Sequence, residues 1–277
     1  MDTRMAELLH QFELERLEVN LFRGVSRDIG SPQVFGGQVL GQALMAACAT
    51  IDDRLVHSLH AYFLRRGDFN LPIIYNVDRS RDGRSFSTRR VTAIQNGAQI
   101  FNCSCSFQIP EDGLEHQITM PDVPPPEALP PLPEKARRLF EKDPPFEFRP
   151  VQVLDPLAPR AAPPMRQVWF RAVDTVPDGE ALHRCLLAYV SDYNLLDTAT
   201  LPHGASYLKG DLIMASVDHA IWFHRSMRVD DWLLYAMDSP SASGARGFAR
   251  GSIFARSGQL VASVAQEGLI RAPNLKT

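Results

Sequence analysis

Gln266 sits in QLVASVAQEG, where alternation places it on the same face as Leu260, Ala262 and Val264. An amide among apolar neighbours is costly to bury without partners, so its position there points to a role. Asp192 closes the apolar run EALHRCLLAYVSD, and a carboxylate at that place can take up a proton. Ser216 supplies a hydroxyl which, like an amide, both donates and accepts. Asp218 is a competing carboxylate on Ser216's face by period-two alternation, and His60, His219 and His224 are further candidate bases. His219 and His224 are five apart on a predicted strand and face opposite ways, a poor arrangement for a metal. Taken by residue type alone, these groups fit proton transfer and ordinary structure alike. Acids at helix ends are commonly solvated, and buried serines and histidines are commonly structural.

Other chemistries lack their signatures. There is no G-x-S-x-G elbow, P-loop or dinucleotide fingerprint, so neither a covalent acyl-enzyme nor a nucleotide cofactor is expected. Cys103 and Cys105 share one strand face, Cys48 and Cys185 lie apart, and no second close pair or histidine spacing completes a zinc site. The first residues mix charges with apolar positions and lack a signal-peptide core, and no window approaches 18 apolar residues. The expectation is a cytoplasmic protein with reduced cysteines and no membrane span. A net charge of -3 gives no basis for binding nucleic acid. An anionic ligand would need local arginines; Arg79, Arg81, Arg84, Arg89 and Arg90 are available, and most read as solvated.

The elements that must position these groups come in two sets. Fifteen of the 21 prolines fall between Pro110 and Pro164, a density that forbids long helices and central strands. Only Pro133–Lys142 within it reads as a short helix. The chain divides into 1–109, a proline-rich linker 110–164, and 165–277. At an offset of 160, His60–Asp78 aligns with Ala220–Asp238 and Arg90–Phe107 with Arg250–Glu267, in a shared register of aromatic and β-branched blocks. Each half has a small-residue apolar helix, Gly36–Thr50 or Glu180–Asp192, followed by alternating strands with turn signals at DRSRDG and SPSASG. The predicted class is α+β: two fused hotdog units, each a buried helix wrapped by an antiparallel sheet.

The segments FGGQVLGQAL, SLHAYFLRRGD, RDGRSFSTRRVTAIQNG, SDYNLL, DHAIWFHR, WLLY, SASGARGF and VAQEG together resemble the bacterial acyl-CoA thioesterase II family, over roughly Glu7 to Arg271. The resemblance implies a double hotdog that hydrolyses fatty acyl-CoA to free acid and coenzyme A through an activated water. It implies a catalytic trio of Asp192, Ser216 (many members would have Thr) and Gln266, with no cofactor or metal. It also implies acyl-CoA as the partner and a homo-oligomer, dimer or tetramer. At offset 160, Ser216 aligns with Val56 and Gln266 with Ser106, so one site per chain is expected, built mainly by the second half. Two rivals stand beside this reading: an enoyl-CoA hydratase or dehydratase on the same scaffold, and a non-catalytic acyl-CoA-binding protein.

Overall fold

The computed structural model describes residues 1–132, 142 and 144–273. The helix expected over Pro133–Lys142 falls, apart from Lys142, outside the described residues. Among the described residues three α-helices, α1 (Thr3–Phe12), α2 (Gly36–Cys48) and α3 (Glu180–Ser191), accompany one thirteen-stranded antiparallel sheet. The first half contributes β1 (Glu15–Glu18), β2 (Leu21–Gly24), β3 (Leu55–Phe63), β4 (Ile73–Asp82), β5 (Phe86–Gln95) and β6 (Ala98–Gln108). The second contributes β7 (Phe146–Pro150), β8 (Met165–Ala172), β9 (Ile213–Ser216), β10 (Asp218–Phe223), β11 (Leu233–Ser243), β12 (Arg246–Ala255) and β13 (Leu260–Arg271).

The strand order β1-β2-β4-β5-β6-β3-β10-β13-β12-β11-β8-β7 is one six-strand order written twice, the second time reversed. The halves meet where β3 pairs with β10, and there His60 faces Ala220, its own counterpart 160 positions on. A residue opposite its own equivalent marks a local twofold axis. The repeat extends to the irregularities: the β4–β5 ladder slips between Asp78 and Arg81, and the β11–β12 ladder slips between Asp238 and Ser241. Those slips correct the turn signals. DRSRD and SPSAS are bulged continuations of β4 and β11, and the chain reverses only after Asp82 and after Ser243.

The ungapped offset also needs one correction. Arg89 pairs with Cys105 in the first half, and Ala249 with Gln266 in the second. The offset is therefore 160 on β12 but 161 on β13. The turn after β12 holds the extra residue, since Gln95 pairs with Ala98 across Asn96-Gly97 while Phe254 pairs with Leu260. Gln266 corresponds to Cys105, not Ser106.

On the inner face α2 and α3 pack side by side within one continuous core. Two glycines in α2 set how closely. A Cβ at Gly37 would stand 2.2 Å from the carbonyl oxygen of Tyr189, and one at Gly41 would stand 2.9 Å from that of Cys185. Glycine costs a helix roughly 1 kcal/mol in chain entropy; here that cost permits backbone to approach backbone. Tyr75 and its counterpart Tyr235 tie sheet to helices, Oη donating to Gln42 of α2 (2.7 Å) and to the Ser191 carbonyl of α3 (3.0 Å). The proline-rich stretch supplies β7, an end strand of the sheet, where proline is tolerated. Its earlier residues Met120, Val123 and Leu129 pack on a second cluster of Trp169, Trp232, Leu234 and Phe254, and Trp169 Nε1 donates to the Pro124 carbonyl at 3.0 Å.

Candidate active site

Asp192, Ser216 and Gln266 come from three elements and meet at one point. Asp192 is the cap residue ending α3, Ser216 ends β9, and Gln266 lies mid-way along β13 on its buried face. The Gln266 amide nitrogen donates to Asp192 Oδ1 at 2.7 Å and to Ser216 Oγ at 3.1 Å, which uses both of its hydrogens. Its Oε1 is buried and has no partner among the described residues.

The first half reaches into the same point. The Gly37 N–H, in the first turn of α2, donates to Asp192. A Cβ on Gly36 would stand 2.7 Å from Asp192 Oδ2 and 3.1 Å from the Phe63 ring, so glycine lets the amino end of that helix close on the carboxylate. Burial pushes the Asp192 carboxyl up to about 6; the hydrogen bonds from Gln266 and Gly37 oppose the rise and the nearby Asp197 carboxylate adds to it. Such a group changes charge close to neutral pH, the range suited to a proton acceptor.

Asp218 does not share this point. The strand breaks at Val217 between β9 and β10, and the break upsets the alternation that placed Asp218 with Ser216. His219, with no exposed surface, turns inward instead. Asp218 Oδ1 accepts the Glu267 N–H at 2.6 Å, binding a backbone donor beside the break. In the first half β3 has its own slip between Val56 and Ser58, so the irregularity belongs to both copies. His219 was not separable from structural histidines by sequence, and only the break at Val217 shows it facing Asp192, with Nδ1 3.8 Å from Oδ1. The other candidate histidines lie on the outer face: His60 packs edge-on against Trp222 (5.0 Å) and His224 bonds Ser263 (2.9 Å).

The corresponding place in the first half is filled. Arg89, the counterpart of Ala249, is 2% exposed, contrary to the solvated reading of the arginine group. Its guanidinium donates to Thr50 Oγ1 (2.9 Å), Asp82 Oδ1 (2.7 Å) and the carbonyls of Arg81, Thr88 and Thr50. Thr50 matches Ser191, each hydroxyl bonding back to the carbonyl three residues earlier. With Val56 for Ser216 and Cys105 for Gln266, the first copy lacks the trio and holds an arginine in its space. The four cysteines are free thiols, and no group of three or more His, Cys, Asp or Glu among the described residues is placed to hold a metal.

Known proteins match this chain along nearly its whole length. The sequence model of a family described as acyl-CoA thioesterase matches residues 135–269, and one described as acyl-CoA thioesterase N-terminal domain matches residues 25–108. Acyl-CoA thioesterase 2 of Haemophilus influenzae is 42% identical, the match covering 98% of this chain and 99% of that one. The crystal structure of an acyl-CoA thioesterase II, TesB2, from Mycobacterium marinum is 45% identical and superposes with a TM-score of 0.83, covering 96% of this chain and 99% of that one. A protein of unknown function with the hot dog fold from Alicyclobacillus acidocaldarius, 19% identical, reaches 0.80 over 96% of this chain and 98% of its own, which speaks for the fold alone. The double hotdog is thus the architecture of this protein, and the chain belongs to the acyl-CoA thioesterase II family.

Proposed function

We propose that this protein hydrolyses fatty acyl-CoA to the free acid and coenzyme A by a single-displacement route, with Asp192 as general base toward a water that Ser216 and Gln266 orient. The observation that carries the reading is the Gln266 amide bridging Asp192 and Ser216 while its own oxygen is buried with no partner among the described residues. That oxygen and the Ser216 hydroxyl offer a water an acceptor and a donor, and Asp192 offers the proton's destination. A well-placed base is worth about 10²–10⁴ in rate, and fixing the water's lone pair toward the carbonyl carbon adds an orientation effect. The amino end of α2, which closes on Asp192, carries the positive end of a helix dipole, a field suited to a developing oxyanion.

Both rivals find less support. A hydratase would use an acid–base histidine in contact with substrate, but His219 has no exposed surface and lies behind Asp192. A binding protein without turnover has no need of a buried carboxylate, which costs stability. Thiol release from saturated acyl-CoA across a series of chain lengths tests the proposal. A hydratase leaves such substrates intact and a binding protein holds them, whereas the proposed enzyme frees coenzyme A. Assembly as a homo-dimer or tetramer and a cytoplasmic location are proposed from the family resemblance, and light scattering and fractionation test them. Among the described residues no helix is long and apolar enough to cross a membrane.

A further inference from the structure

His219 Nε2 lies 2.9 Å from Ser191 Oγ, and Ser191 Oγ donates to the Ala188 carbonyl at 2.9 Å. A hydroxyl has one hydrogen to give. With that hydrogen on Ala188, the hydrogen between Ser191 and the ring must come from the ring, so Nε2 is protonated and Nδ1 carries a bare lone pair. That lone pair faces Asp192 Oδ1 across 3.8 Å and has no hydrogen-bond partner among the described residues. The other groups around the two are accounted for. Gln266 of β13 and the Gly37 N–H of α2 donate to Asp192, and Ser216 of β9 accepts from Gln266. Tyr235 of β11 donates to the Ser191 carbonyl, and Asp197, in the 3-10 segment Leu196–His203, adds negative charge. Burial drives the imidazole down to about 3, so the ring stays neutral through the working range.

We propose that His219 is a positioning residue for the base: once Asp192 has taken the water's proton, the 3.8 Å separation closes to hydrogen-bond distance and the unprotonated Nδ1 accepts from Asp192. The inference rests on Asp192 being the base. As the water oxygen bonds the thioester carbon, its O–H bond breaks, the proton passes to Asp192, and the carbonyl π pair moves onto oxygen. Collapse of the tetrahedral species breaks the C–S bond, the thiolate takes that proton, and Asp192 returns to its ionised form. His219 keeps its own proton throughout. A lone pair opposite an ionised carboxylate repels it, and the same lone pair opposite a carboxylic acid accepts from it. The contact therefore favours the proton-transferred state over the resting one, which is the differential stabilisation that raises kcat.

The test compares wild type, His219→Leu, His219→Asn and Asp192→Asn across pH, with thiol release as readout, beside the ¹⁵N spectrum of wild-type protein labelled at histidine. The spectrum should show His219 with its hydrogen on Nε2. His219→Leu should lower kcat roughly ten-fold at unchanged KM, about the worth of one hydrogen bond to a charged or reacting group, and should move the acid limb to lower pH. His219→Asn returns an acceptor where Nδ1 stood and should recover most of the loss. A hydrogen on Nδ1, an acid limb displaced upward in His219→Leu, or wild-type kcat in that variant overturns the proposal. If His219→Leu does not fold, the wild-type spectrum still decides. Turnover retained in Asp192→Asn would instead sink the assignment of the base, so the two failures are told apart.

Discussion

Gln266 Nε2 lies 2.7 Å from Asp192 Oδ1, and this hydrogen bond joins the last strand to the end of α3. The bond lowers the cost of a buried carboxylate without removing it, since the carboxyl still rises to about 6. A group whose folded pKa is raised is best tolerated when protonated. Its penalty is absent below the unfolded value near 3.8 and grows as pH rises through 6. Asp192→Asn removes that penalty while keeping shape and the bond from Gln266. It should cut turnover by roughly 10²–10⁴ with acyl-CoA binding retained. The same change should raise stability at pH 7 by about 2–3 kcal/mol, shrinking toward zero near pH 4, in denaturant titrations at the two pH values.

In the proposed mechanism the ionised form of Asp192 is the active one. kcat/KM should therefore fall tenfold per unit as pH drops below about 6 and be flat above it, until other groups titrate. A profile flat down to pH 4 would show that the base is not this carboxylate.

Gln266→Ala removes the orienting amide and leaves the base. Its loss of kcat should lie between that of Asp192→Asn and wild type. Ser216→Thr should be mild, because it adds only a methyl and keeps the hydroxyl. Steady-state kinetics of the two variants side by side give the ranking.

Asp218→Asn serves as the control for the competing carboxylate. Asp218 accepts the Glu267 N–H, and an amide oxygen can do the same, so turnover should stay near wild type. Loss of activity here with activity kept in Asp192→Asn would transfer the role of base.

Arg89→Ala removes a buried guanidinium that bonds Thr50, Asp82 and two neighbouring carbonyls of its own hairpin. Destabilisation of about 3 kcal/mol is expected from the unpaired groups and the space left behind. Well below the unfolding midpoint, kcat should not change. Thermal melts and kinetics on the same samples check both parts.

Periodicity in the sequence was enough to show the duplicated order of elements, because helix-then-strands repeats with the same apolar register. It misplaced what single-residue slips control. The insertion after β12 moves Gln266 from opposite Ser106 to opposite Cys105. The break at Val217 sends His219 inward and frees Asp218 from Ser216's face. Slips of this kind exchange the two faces of a strand without altering its composition. Asp192 and Ser216 were visible only through family resemblance, since an acid after a helix and a serine on a strand have many ordinary uses. Gln266 was legible by itself, as an amide where apolar residues belong. Arg89 carried no signal separating it from the solvated arginines around it, because its burial depends on the helix end at Thr50.

Asp192 hangs from one half, and Gly36 and Gly37 reach it from the other. With Asp192 as the proposed base, catalytic competence is a property of the seam. Were the chain severed at the exposed Gly113, each fragment would hold a helix and its strands but only one wall of the site. Hydrolysis would then report, molecule by molecule, whether the two pieces had found one another.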